Sequence, residues 1–200
     1  MNATFLGIIY FVAFSHAVML ATALWTRSEK GKPARLLALV LLVLAYKLLE
    51  GGATYSGLFH YIPHLLDLMP AMVMILGPLF YGYVRHITGQ EPLSTKEWAM
   101  HLAPWVAFFA VFNADYVFRS ADLKVAMWQQ ILAAKGSYGQ LPTEIVLRLL
   151  AIKAHLTAYL WFSCVSLYKF SRSVDNLRSD NTGDILKQLK FLALSFILLE

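Results

Sequence analysis

The sequence predicts an all-α, polytopic membrane helix bundle with five clear spans, a sixth started by the C terminus, and a short interfacial helix on the outer side. Three observations carry that expectation. Of 200 residues, 58% are hydrophobic and only 14% are charged, against about 45–50% and about 25% in soluble domains. The mean hydropathy is +0.57. The charges, net +5, fall in short clusters between apolar stretches of about 20 residues, the pattern of a chain whose solvent is lipid. A single cysteine, Cys164, excludes an internal disulfide scaffold. The basic excess sits beside apolar segments and forms no DNA-reading face.

Residues 3–25 carry no Lys, Arg, Asp or Glu, which is long enough for a hydrocarbon core of about 30 Å at about 1.5 Å per residue. No basic stretch precedes this span and His16 interrupts it, so it reads as a retained helix rather than a cleaved signal. Residues 35–56, 63–84, 101–119 and 143–168 supply the second to fifth spans. From 185 to 200 a sixth begins, with only about ten uninterrupted apolar residues after Lys190, fewer than the roughly 17–25 needed to cross. That shortfall reads as a helix belonging to a longer protein. Between the fourth and fifth spans, Leu123, Ala126, Met127, Ile131 and Leu132 recur at helical spacing while Asp122, Lys124, Gln129 and Gln130 stay polar, predicting a surface helix within 120–141. Gly136, Gly139 and Pro142 end it. Residues 1–200 then read as a single transmembrane domain.

Orientation follows from the basic residues. Arg27, Lys30, Lys32 and Arg35 cluster after the first span, and Lys169, Arg172 and Arg178 after the fifth, so both connections are expected in the cytoplasm. The N terminus is then outside.

In this frame Glu50, Asp67, Asp115, Arg148 and Lys153 all fall in the outer half, with His64 and Asn113 near the same mouth and Lys47 one turn deeper than Glu50. Ionisable groups at membrane depth are costly and face the bundle interior, water or one another. Two readings stay open: a ligand site lined by both charge signs, or a structural network of paired and snorkelling groups. His16 and His155 lie halfway along their spans, where interhelical hydrogen bonding or cavity lining outweighs a bis-histidine haem site. Gly77-Pro78 is the candidate hinge, because proline removes a helix hydrogen bond and glycine admits close backbone approach. No Walker loop, HExxH, GxSxG or zinc-spaced Cys and His group is present, so neither catalytic residues nor a metal or cofactor are expected.

The stretch Leu76-Gly77-Pro78-Leu79-Phe80-Tyr81-Gly82-Tyr83-Val84-Arg85, then Thr88-Gly89 and His101-Leu102-Ala103-Pro104, resembles the membrane part of AraC-type transcriptional regulators with a multi-helix N-terminal sensor. Leu167-Tyr168-Lys169 through Arg172, Asn176-Leu177-Arg178-Ser179 and Leu186 through Leu192 extend the likeness. Gln188-Leu189-Lys190-Phe191 departs from it, standing where that family often has a Trp-Leu pair. The family's seventh helix and helix-turn-helix domain do not occur in these residues. The resemblance implies the sensing and anchoring part of a one-component regulator in a bacterial inner membrane, with Lys169, Arg172 and Arg178 as the segment passing the signal on. Its implied partners are membrane lipid, an unknown small molecule, a second copy of the chain, and DNA only through a domain missing from this chain. A transporter component and a membrane haem or lipid-processing enzyme are the competing classes.

Overall fold

The computed structural model describes residues 3–27, 33–66, 69–133 and 142–175. All regular structure in them is helical: α1 (Ala3–Arg27), α2 (Pro33–Ser56), a 3-10 turn (Leu58–His60), α3 (Pro63–Leu66), α4 (Met69–Ile87), α5 (Thr95–Phe108), a π turn (Phe109–Asn113), α6 (Ala114–Val117), α7 (Ala121–Ala133) and α8 (Thr143–Asp175).

Among the described residues three helices are long and apolar enough to cross a membrane, Thr4–Arg27, Pro33–Ser56 and Thr143–Arg172. The expectation of five spans and the start of a sixth is therefore corrected. The 25 residues of α1 and 24 of α2 rise about 37 and 36 Å, beyond the roughly 30 Å of hydrocarbon. Among the described residues the 63–84 stretch carries α3 and the 19-residue α4, and the apolar helix there, Ala71–Ile87, is shorter than a span. The 101–119 stretch divides three ways, into the end of α5, the π turn and α6. With 14 residues, α5 rises only about 21 Å. A hydropathy run counts apolar side chains and is blind to a π turn in the backbone ladder, so it read 101–119 as one span. The expected sixth span, 185–200, lies outside the described residues.

The bundle is built outward from α4. Its buried residues Leu76, Leu79, Phe80 and Val84 form one cluster with Val40 of α2 and Leu167 of α8. Their spacing of three and four places them on one helical stripe. α4 packs on both α2 and α8, and α1 packs on α2. The outward side of α1 exposes Ile8, Val12 and Met19, a face that meets lipid in a membrane. The α2 Tyr46 hydroxyl donates to the Leu65 carbonyl of α3.

Chain reversal after α4 is set locally. Gly89 has φ +70°, the left-handed conformation that suits glycine. Its N–H donates to His86 O and that of Gln90 to Arg85 O, the double bond of a Schellman ending. Ser94 then starts α5 with a capping box: its hydroxyl accepts from the Glu97 N–H and the Glu97 carboxylate accepts from the Ser94 N–H at 2.8 Å. Arg85 bridges back to Glu97 at 3.3 Å. The Ser94 backbone and side-chain hydrogen bonds, then Arg85, hold the Glu97 carboxyl below the ordinary carboxylate range. A depressed folded value means the stabilisation is present above the unfolded value and is lost as pH falls through the folded one. Ser94→Ala is expected to cost about 1 kcal/mol (range about 0.5–2) at neutral pH. Thermal melts against pH should show the gap from the parent protein narrowing on acidification.

Candidate functional site

The central observation starts from one missing hydrogen. Pro78 lies inside α4 and has no N–H, so the Met74 carbonyl four residues earlier loses its helical donor. His155 of α8 replaces that donor, with Nε2 3.0 Å from Met74 O. A carbonyl can only accept, so this ring nitrogen carries the hydrogen. The break in α4 is thereby bonded to the facing helix. Gly77 lets the helices close there: a Cβ on it would sit 2.9 Å from Cβ and Cγ of Tyr159. Tyr159, one turn after His155, reaches on to α5, where its hydroxyl lies 2.8 Å from His101 Nδ1 and 3.3 Å from His101 O. The tautomer that satisfies both contacts has Nδ1–H donating to the phenol oxygen, while the phenol O–H donates to the carbonyl. Burial holds the His101 imidazole below its ordinary range, with Glu97 opposing. Tyr81 packs on both rings, at 5.5 Å from His101 and 6.1 Å from Tyr159.

Immediately beside this cross-link, α2, α4 and α8 line a cavity of about 260 Å³. Leu76, Gly77 and Phe80 form its α4 wall, Val43, Leu44 and Lys47 its α2 wall, and Ile152, Lys153, Leu156 and Tyr159 much of its α8 wall. Gly77, next to Pro78, and Tyr159, which packs on it, thus border the cavity, so an occupant touches the α4–α8 contact beside Pro78.

The sequence candidates divide among several places. Lys153 lines the cavity, and Glu50 lies near enough to Lys47 for their charges to interact. Arg148 pairs with Glu144 one turn away and stacks its guanidinium 5.6 Å from the Phe112 ring, next to Asn113, which is fully buried in the π turn. His64 meets Lys124 of α7, Nδ1 to Nζ 2.9 Å, and the same ammonium donates to Val117 O at 3.0 Å. The periodicity of α7 put Lys124 on the polar face, yet it is buried, because acceptors from α3 and α6 converge on it. Asp115 lies on α6, but its side chain is outside the described residues, as are Asp67 and Arg178. Gly77 and Pro78 are buried in α4. Lys169 borders a second, shallower cavity of about 450 Å³ with Thr88 and Gln90, while Arg172 stacks 5.2 Å over Tyr168.

His16 bonds its own helix at Val12 O, 2.8 Å, and thus shares no partner with His155. No group of three or more His, Cys, Asp or Glu that would hold a metal occurs among the described residues. Sequence reasoning placed Lys47 and Lys153 in one candidate lining but did not single out Tyr159 or His101. The signal for His155 was present, since every proline inside a helix frees the carbonyl four residues before it. Compared with known proteins, the chain matches no family model, no curated protein and no solved structure.

Proposed function

We propose that this chain is a membrane-embedded sensing and anchoring region in which a small molecule, entering from the outer side, occupies the α2–α4–α8 cavity and biases how α4 packs on α8. One observation carries the reading: the cavity is walled by Gly77 and Tyr159 at the break that Pro78 makes and His155 bridges. An occupant in contact with Gly77 and Tyr159, where α4 packs on α8 beside Pro78, has a direct means of favouring one helix arrangement, which is what coupling requires. The three long apolar helices supply the anchor. The likeness of Leu76 to Arg85 and of Leu167 to Arg172 to the membrane part of AraC-type regulators supports a transcriptional output, reached through the end of α8 and its Lys169 and Arg172. In this reading the chain performs no catalysis.

The test is a thermal-shift screen of small molecules against the protein in lipid nanodiscs, repeated with Val73→Phe, which narrows the cavity. A sensor gives a saturable stabilisation that Val73→Phe removes, without uptake of the same compound into reconstituted vesicles. Uptake that Lys153→Ala abolishes would replace sensing by transport.

A further inference from the structure

Resting on that reading of the cavity, the inference concerns the chemistry of its occupant. The lining is apolar on all three walls, through residues such as Val43, Leu76, Phe80, Leu156 and Leu160. Its ionised members, among the described residues, are both lysines, Lys47 of α2 and Lys153 of α8. α8 runs parallel to α4, Met74 lying opposite His155 and Gly77 opposite Tyr159. α2 runs the other way, since Tyr46 reaches Leu65 ahead of α4 while Val40, earlier in α2, joins the Leu76–Val84 cluster. The end of α2 and the beginning of α8 therefore share one side of the bundle.

Two lysines in an otherwise apolar lining match a molecule with an anionic head and a hydrocarbon body. Size narrows the body. At about 260 Å³ the cavity falls just below the roughly 300–1,000 Å³ of drug-sized ligand sites. One short chain fits, and the two long chains of a phospholipid do not. We infer that the α2–α4–α8 cavity binds a single-chain anionic amphiphile, with its head at Lys47 and Lys153 and its chain along Leu76, Phe80 and Leu156.

The experiment compares decanoate, decanol and decyltrimethylammonium for saturable binding to the whole chain in phosphatidylcholine nanodiscs, read by displacement of a fluorescent fatty acid. Decanoate is expected to bind about tenfold or more tighter than decanol, the scale of a charge-assisted contact, with the cationic compound weakest. In Lys47→Gln/Lys153→Gln the advantage of decanoate over decanol should vanish while decanol binding persists, which also reports that the cavity is intact. The comparison on the parent protein needs no variant, so it stands even where the double substitution prevents folding. Equal binding of decanol and decanoate to the parent would overturn the anionic head and leave the sensing reading in place. Loss of decanoate binding in nanodiscs containing phosphatidylglycerol would overturn the single chain and give the site to a membrane phospholipid. Binding of none of the three, with no compound of the screen stabilising the protein either, would overturn both readings.

Discussion

Replacing His155 by leucine is expected to destabilise the bundle by about 1–3 kcal/mol, the cost of leaving a buried acceptor unsatisfied. The upper part of that range applies, because lipid offers the Met74 carbonyl no water as a substitute. Pro78→Ala returns a backbone N–H to the position that helical geometry assigns to Met74 O, so the carbonyl no longer depends on His155. In the Pro78→Ala background His155→Leu should therefore cost much less, and a double-mutant cycle of thermal or denaturant melts should show a coupling of about 0.5–3 kcal/mol. Strictly additive effects would mean that the Nε2 contact carries no energy. A cavity effect alone would not produce the coupling, since leucine keeps most of the imidazole volume.

Gly77→Val is expected to be as damaging, for a steric reason. The first added carbon would lie 2.9 Å from the base of the Tyr159 side chain, where no rotation of the ring relieves the overlap. Overpacking of this kind costs about 1–3 kcal/mol, and a β-branched residue adds crowding against its own helix. Helix propensity acts in the opposite direction by less than about 1 kcal/mol, so the clash decides the sign. Tyr159→Ala in the same chain should recover part of the loss. Near-ultraviolet circular dichroism should report the repacking of Tyr81 and Tyr159 separately from unfolding.

These two positions also show how far the sequence could be read. α1, α2 and α8 were visible as long apolar runs because their helical ladders are continuous, so side-chain hydropathy and backbone geometry coincide. They separate at 101–119, where the π turn lies between α5 and α6. A count of apolar residues does not register it. Gly77-Pro78 was legible as a hinge candidate, since proline chemistry is local. The partner that bonds the freed carbonyl was not, because His155 comes from 81 residues away along the chain. Lys124 illustrates the same limit: its burial depends on His64 and Val117, which periodicity within α7 cannot report. Among the charged candidates, Lys153 borders the cavity, whereas Arg148 and His64 have partners elsewhere. Depth in a span told which groups share a level and left open which of them share a space.

In the proposed reading an occupant of the cavity changes how α4 sits against α8. The most direct measurement of that change is a spin-label distance between Glu91→Cys, just beyond α4, and Arg172→Cys, near the end of α8, in a Cys164→Ser chain held in nanodiscs. Saturating decanoate is predicted to move the distance distribution by about 1–2 Å or to transfer population between two peaks, the scale of helix shifts in switching proteins. A distribution unchanged by decanoate, under conditions where its thermal stabilisation shows the site to be filled, would contradict the account.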